Sequence, residues 1–211
     1  MNADVILWAV LIAASYLIGA IPTAYLICRA HGVNIFEVGS GNMGATNVAR
    51  ALNLRWGVIV WLLDMSKGVF AILLARLLLP HDLAAATTAG ALAAIVGHNW
   101  SVFVVRLTGR LRGGKGASIA FAALALIAPH IVLGVSLVGG AILLVTRYVS
   151  LTVLVMLSLA TLWIVVLSTQ SALAWEYALY ALLMLPLTIY RFRDNIQRLL
   201  SGTERRLGER V

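Results

Sequence analysis

Two glycine-rich segments carry most of the side chains that could bind an anion. The first, residues 39–50, joins three glycines to short hydroxyl and amide side chains and ends in an arginine. Its candidate ligands are Ser40, Gly41, Asn42, Thr46, Asn47 and Arg50. Glycines let the backbone approach a ligand closely, and the planar guanidinium fork suits phosphate. A capped turn entering a helix also fits, but the density of glycine and amide groups favours a phosphate site.

This first segment imitates a dinucleotide-binding fingerprint. It contains G-x-G-x-x-G, and Asp64 follows 20 residues after the last glycine. That fingerprint requires a strand before it and a βαβ unit around it. Here the motif lies between two long apolar stretches, and Asp64 falls inside the second. A nucleotide-binding fold is therefore excluded.

The second segment, residues 109–116, imitates a P-loop through Gly113, Gly114 and Lys115. Gly116 stands where a P-loop needs a Ser or Thr hydroxyl for magnesium, so ATP hydrolysis is not expected. A glycine-rich turn can still present backbone N–H groups and an ammonium to an anion. The alternative is a flexible basic loop that touches lipid headgroups.

Other polar residues allow two interpretations each. His98 is the imidazole best placed for proton transfer, or else an interfacial hydrogen-bonding residue. Asp64 and Lys67 are three apart within an apolar stretch, which indicates either a functional site or a buried ion pair. Arg147 and Ser150 either share the anion pocket or form a tight positive loop.

The sequence predicts no metal site and no cofactor, because it has one cysteine and scattered histidines.

The elements that must position these residues are membrane helices. The chain is 62% hydrophobic and 11% charged, with a mean hydropathy of +0.97. Soluble domains are about 25% charged, so lipid must cover the excess apolar surface. The net charge of +8 lies mostly in short loops between apolar stretches. Nucleic acid is therefore not an expected partner, whereas anionic headgroups or phosphorylated substrates are.

The distribution of basic residues between the two sides of the membrane predicts seven transmembrane helices. The apolar stretches are about 5–28, 57–79, 84–97, 117–128, 131–146, 149–168 and 173–190. If segments 29–56, 98–116 and 147–148 and the tail 191–211 face the cytoplasm, 14 of the 16 basic residues lie there. This requires two crossings within 117–146, separated near Pro129–His130. We expect one all-α membrane domain over residues 1–211, with its N-terminus outside and its C-terminus cytoplasmic.

The first apolar stretch follows Asp4 without a basic segment, which predicts a retained helix.

The basic tail also allows two interpretations. From Arg191 to Val211 it is amphipathic enough to form a surface helix through Leu199–Leu200. The alternative is a plain stop-transfer flank.

Taken together, these segments resemble the PlsY family of acyl-phosphate:glycerol-3-phosphate acyltransferases. Residues 15–26 and 39–50 match its first signature, and Gly97–His98 with residues 113–116 match its second. Residues 147–151 resemble the third, and the run from Asn195 to Arg198 and Leu199, with Gly202 and Glu204, resembles the fourth. The matches cover the whole chain in order.

The resemblance implies a multi-pass enzyme of the bacterial inner membrane with its active site on the cytoplasmic face. Its reaction would move a fatty acyl group from acyl phosphate to the 1-hydroxyl of glycerol 3-phosphate, giving lysophosphatidic acid for phospholipid biosynthesis. By the same resemblance, Ser40, Arg50, Lys115 and Ser150 line the polar pocket. Asn42 and Asn47 shape its first loop, and Asn195 and Arg198 close it. The hydroxyl proton goes either to the substrate's own phosphate or to His98.

The resemblance further implies a functional link to a phosphate acyltransferase that generates the donor. The alternative function is a divergent, non-catalytic, transport or lipid-binding protein of the same fold. Where the family usually has a histidine, this chain has Phe192, so one phosphate contact is lost or comes from Arg191 or Arg193. The stretch between His98 and Gly113 is longer than usual and carries extra arginines.

Overall fold

The computed structural model describes residues 3–209, and all regular structure in that range is helical. Arg210, which the charge argument counts, lies outside the described residues, as do residues 1, 2 and 211. The α-helices are α1 (Ala3–Ala20), α2 (Thr23–Ala30), α3 (Ala45–Ala51), α4 (Leu54–Leu78), α5 (Leu83–Asn99), α6 (Val102–Thr108), α7 (Ala117–Ile127), α8 (Pro129–Thr146), α9 (Val149–Thr169), α10 (Trp175–Arg191) and α11 (Arg193–Leu200). A 3₁₀ turn, Pro80–Asp82, precedes α5.

Five helical stretches in the described range are long and apolar enough to cross a membrane. They are Ala3–Ala30, Leu54–Leu78, Pro80–Thr108, Pro129–Thr146 and Val149–Thr169. The other two predicted spans correspond to the shorter helices α7, with 11 residues, and α10, with 17. An α-helix rises 1.5 Å per residue, so α7 is only about 16 Å long.

Proline and local capping explain where several helices begin. Pro22 separates α1 from α2, and Pro129 occupies the first turn of α8, where its missing N–H removes no helical hydrogen bond. The predicted break within 117–146 is therefore present, at Ala128. The side chain of Asn53 caps α4 by accepting a hydrogen bond from the Trp56 N–H at 3.1 Å.

Small residues allow α1 and α5 to pack closely. A Cβ atom placed on Gly19 would overlap the backbone of Ala94, and one placed on Gly97 would overlap the backbone of Tyr16. Glycine at such contacts lets helix backbones approach each other inside a bilayer. This close pair fixes the end of α5, from which His98 projects.

The loops predicted to share one face do meet in space, and the tail joins them. The tail forms α11 and then folds back over the helix ends. The Leu207 N–H donates to the Arg147 carbonyl at 2.7 Å, and the Arg50 guanidinium donates to the Arg205 carbonyl at 3.3 Å. The tail is thus part of the folded bundle, a role outside the surface-helix and stop-transfer interpretations. Only the family resemblance placed tail residues, Asn195 and Arg198, at the pocket.

Candidate active site

A cavity of about 340 Å³ opens where the two glycine-rich loops, the start of α9 and the tail converge. Nine of the predicted site residues line it: Ser40, Asn42, Thr46, Asn47, Arg50, His98, Lys115, Ser150 and Asn195. Four do not line it: Gly41, Gly113, Gly114 and Arg198.

Asn47 organises the first loop. Its Oδ1 accepts a hydrogen bond from the Ser40 N–H at 3.0 Å, and its Nδ2 donates to the carbonyls of Val38 and Asn42, each at 3.0 Å. The side chain is buried, so these bonds use its polar atoms within the protein. Gly41 supports the same turn, since its φ of +62° favours glycine. Asn47 therefore shapes the loop that presents Ser40 and Asn42.

Arg50 projects from α3 into the cavity. Its Nη2 donates to the Arg205 carbonyl, while its Nε is buried and lacks a hydrogen-bond partner among residues 3–209. The Oδ1 atom of Asn42, on the same wall, is likewise buried and unpaired within that range. Burial, and then the charge of Arg205, lowers the pKa of Arg50. Buried polar groups are normally paired, so this wall has a donor and an acceptor left for a ligand.

Lys115 supplies a second cation to the cavity that Arg50 lines. Its ammonium donates to Asn195 Oδ1 and lies 4.5 Å from the centre of the Phe192 ring. Burial, and then the nearby Arg198 guanidinium, lowers the pKa of Lys115 to about 8, while Glu204 opposes that shift. The group is thus still largely protonated at pH 7 but titrates much closer to neutrality than an ordinary lysine.

Glu204 connects the tail to the cavity and was not among the predicted site residues. Its Oε1 accepts from the Ser150 hydroxyl at 3.0 Å and from Asn195 Nδ2 at 2.7 Å, and its Oε2 accepts from Arg198 Nε at 2.8 Å. Only 8% of the residue is exposed. The available signal was its place in the tail run that resembles the family's fourth signature.

His98 lies between a buried ion pair and the second loop. Its Nδ1 is 3.9 Å from Asp64 Oδ1, which also accepts from the Lys67 ammonium and the Thr23 hydroxyl, each at 2.6 Å. The ion pair, one of the two interpretations of Asp64 and Lys67, is therefore formed, and Asp64 also lines the cavity. On the other side, Nε2 packs so closely on Gly114 that a Cβ atom there would overlap it. Both ring nitrogens thus face protein groups, although the ring borders the cavity.

Arg191 holds the second loop from the outside. Its Nε and Nη2 donate to the Gly114 carbonyl at 3.1 and 2.6 Å, and Nη2 also reaches the Gly113 carbonyl at 3.4 Å. Arg193 is exposed and donates to the Tyr190 carbonyl. Neither arginine lines the cavity, so neither takes the place of the histidine that Phe192 replaces.

Arg147 also turns away from the cavity. Its Nη2 donates to the Leu207 carbonyl at 2.6 Å, which fastens the tail, while Ser150 faces the cavity. The interpretation that both side chains enter one pocket is therefore wrong for Arg147. The residue adopts φ +61° at the end of α8, where it turns the chain directly into α9.

The inner half of the cavity is apolar. Side chains from α4, α7, α8 and α9 form this wall: Trp61, Phe121, Leu143, Val153, Met156 and Leu157. A cationic, hydrogen-bonding end thus continues into a hydrocarbon-like groove between helices. Such a pocket suits an amphiphilic ligand with an anionic head.

Comparison with known proteins gives a consistent result. Residues 9–202 match the family model described as glycerol-3-phosphate acyltransferase. A glycerol-3-phosphate acyltransferase of Thermus thermophilus is 40% identical over 204 residues, which cover 97% of this chain and 96% of that protein. Glycerol-3-phosphate acyltransferase 1 of Deinococcus radiodurans is 41% identical, with 93% and 94% covered.

Solved structures agree with these relatives. The glycerol 3-phosphate form of PlsY (YgiH), an integral membrane glycerol 3-phosphate acyltransferase, superposes with a TM-score of 0.84 at 35% identity, covering 95% of this chain and 96% of that one. Its lysophosphatidic acid form gives a TM-score of 0.81, with 95% of each chain covered.

Proposed function

The chain belongs to the glycerol-3-phosphate acyltransferase family, and from this premise we propose that it transfers a fatty acyl group from acyl phosphate to the 1-hydroxyl of glycerol 3-phosphate. The products are lysophosphatidic acid and inorganic phosphate. The observation that carries the proposal is one cavity with two cations and unpaired buried polar atoms at one end and an apolar groove at the other. Both substrates have an anionic phosphate, and the donor also has a long hydrocarbon chain.

The polar end has the chemistry needed to hold the acceptor. Arg50 and Lys115 place a guanidinium fork and an ammonium at the same cavity, and charge-assisted bonds from such groups favour phosphate. Asn42 Oδ1 is an acceptor without a donor among residues 3–209, so it suits a hydroxyl of the glycerol moiety. Ser40 and Thr46 add hydroxyl groups at the same wall.

The proposed reaction needs the protein to align the two substrates more than to activate either of them. The acceptor hydroxyl oxygen forms a bond to the acyl carbon, and the bond from that carbon to the phosphate oxygen breaks. The departing phosphate takes the hydroxyl proton, since both nitrogens of His98 already face protein groups. His98 then acts as a positioning residue for the second loop. Donors fixed in place before the reaction stabilise the charge that develops on the acyl oxygen and the leaving phosphate.

The contacts of the tail support seven crossings. Lys115, before α7, and Ser150, at the start of α9, both reach tail groups, so their ends lie on one face. The chain between them contains the two helices α7 and α8, which fits one crossing out and one back. The short α7 is accommodated because protein covers Gly116 and Ala128 at its ends.

We therefore propose one membrane domain over residues 1–211, with an external N-terminus and a cytoplasmic C-terminus, in the bacterial inner membrane. Most basic residues then face the cytoplasm, where phosphorylated substrates are supplied. An enzyme that makes acyl phosphate is the functional partner implied.

Product analysis tests the donor and the acceptor together. Purified protein is mixed with glycerol 3-phosphate and either palmitoyl phosphate or palmitoyl-CoA, and the lipids are identified by mass spectrometry. We expect 1-palmitoyl lysophosphatidic acid from palmitoyl phosphate alone. Product from palmitoyl-CoA alone would overturn the donor assignment, and a lack of product from either donor would favour a non-catalytic lipid-binding protein.

A further inference from the structure

A second cleft, of about 460 Å³, opens near the reaction cavity and shares no lining residue with it. One wall comes from the end of α2 and the loop that follows, including Arg29, Phe36 and Glu37. The other comes from the end of α6 and the long loop after it, including Arg110 and Arg112. Both walls continue directly into the two glycine-rich loops, so the cleft lies on the same face as the reaction cavity.

The cleft has an excess of positive charge available to a ligand. Its three arginines have no carboxylate within ion-pair distance among the described residues, and its single acid, Glu37, accepts a hydrogen bond from Asn34 at 2.6 Å. The Arg112 guanidinium lies over the Phe36 ring at 5.3 Å from its centre. This cation–π contact holds the guanidinium beside the ring at the cleft, where its N–H groups can meet an anion.

The position of the cleft favours a lipid over a soluble anion. Its walls begin near Ala30 and Thr108, where two stretches that are long and apolar enough to cross a membrane end. Leu107 lines the cleft and is 53% exposed, and the neighbouring Leu26 and Leu111 are also exposed. A soluble anion gains nothing from exposed leucines, whereas an acyl chain beside a bound headgroup covers them.

We infer that this cleft binds the headgroup of an anionic phospholipid, with its phosphate between Arg29, Arg110 and Arg112 and its acyl chains along Leu26, Leu107 and Leu111. The bound lipid links the α2–α3 loop to the α6–α7 loop. These loops carry Ser40 and Lys115, so the lipid steadies both sides of the reaction cavity without entering it.

The test measures lipid binding to the full chain by native mass spectrometry in neutral detergent, with dioctanoyl phosphatidylglycerol or dioctanoyl phosphatidylcholine as the probe. We expect the wild type to prefer phosphatidylglycerol. The double variant Arg110→Gln/Arg112→Gln should weaken that binding about 25-fold, since each basic residue near an anionic surface contributes on the order of fivefold. Arg29→Gln, on the opposite wall, should weaken the binding of phosphatidylglycerol about fivefold by the same reasoning.

Two matched variants separate this site from its alternatives. Arg106→Gln removes an exposed charge one turn earlier, outside the cleft, and Arg50→Ala removes a charge from the reaction cavity. Both should keep wild-type binding of phosphatidylglycerol. An equal loss with Arg106→Gln would show diffuse attraction, and a loss with Arg50→Ala alone would place the lipid in the reaction cavity. Displacement of phosphatidylglycerol by millimolar inorganic phosphate would show a free-anion site. Each of these results would overturn the inference.

Discussion

The Ser150 hydroxyl donates a hydrogen bond to the Glu204 carboxylate at 3.0 Å, although the two residues are 54 positions apart. The same carboxylate accepts from Asn195, whose Oδ1 in turn binds the Lys115 ammonium. One buried acid on the tail therefore orders three groups at the polar end of the cavity. The folded-back tail is therefore part of the polar end of the cavity.

Replacement of Glu204 by glutamine should lower activity by about tenfold to 100-fold. Glutamine keeps the size but loses the charge, and hydrogen bonds to charged groups contribute about 1.5–3 kcal/mol. The variant should also lower the pKa of Lys115 further, because Glu204 raises it. Steady-state assays of phosphate release measure the first effect. Glu209→Gln, an exposed acid on the same tail, is the control and should stay at wild-type activity. A fully active Glu204→Gln protein would show that the carboxylate has no part in ordering the site.

The pH dependence of kcat/KM should report Lys115. Its pKa is about 8, so the free enzyme has the ammonium below that pH and loses it as the pH rises through 8. Affinity for a phosphate substrate should therefore fall on the alkaline side. In Lys115→Arg this fall of kcat/KM at alkaline pH should disappear, since a guanidinium stays charged over the whole pH range. If kcat/KM of the arginine variant still fell at the same alkaline pH, that fall would belong to the titration of another group.

Gly114→Ala should damage the second loop. The added Cβ atom would overlap the His98 ring, and overpacking of this kind costs about 1–3 kcal/mol. Thermal unfolding in detergent and activity should both decline. Gly140→Ala on α8, where nothing lies within 4 Å of the added atom, is the matched control. It should be neutral or slightly stabilising because alanine favours a helix. Equal behaviour of the two variants would refute the close packing of Gly114 on His98.

Phe192→His should lower the KM for glycerol 3-phosphate by about tenfold, because a buried hydrogen bond to a charged group adds at least about 1.5 kcal/mol. Phe192 lines the cavity beside Lys115, and neither Arg191 nor Arg193 reaches it. Phe192→Leu serves as the comparison, since it keeps an apolar side chain and should leave that KM high. A KM that stays unchanged in the histidine variant would mean that the phosphate does not approach position 192.

Much of the fold was predictable from local chemistry. Pro129 ends one apolar stretch and starts another, and the structure breaks the helix at Ala128 beside it. The i, i+3 spacing of Asp64 and Lys67 likewise allows the ion pair that forms. The helical architecture depends on such short-range signals, which the sequence displays directly.

The finer geometry of the site was less accessible, because it depends on contacts between distant residues. The bond from Arg50 to the Arg205 carbonyl spans 155 positions, and no local pattern indicates that the tail returns to α3. For the same reason, the sequence did not show that Arg147 fastens the tail while Ser150 enters the cavity. Glu204 belongs to the tail run that resembles the family's fourth signature, but only its three hydrogen-bond partners show what it does in the site.

The most direct test compares two acceptors in the presence of palmitoyl phosphate: glycerol 3-phosphate and glycerol, which lacks the phosphate. In Arg50→Ala, kcat/KM for glycerol 3-phosphate should fall about 100-fold, the upper range for a charged hydrogen bond, while that for glycerol should hardly change. Arg55→Ala, an exposed arginine outside the cavity, should match the wild type with both acceptors. Equal losses for both acceptors in Arg50→Ala, or no turnover of glycerol 3-phosphate by the wild type, would contradict a phosphate-binding pocket built on Arg50.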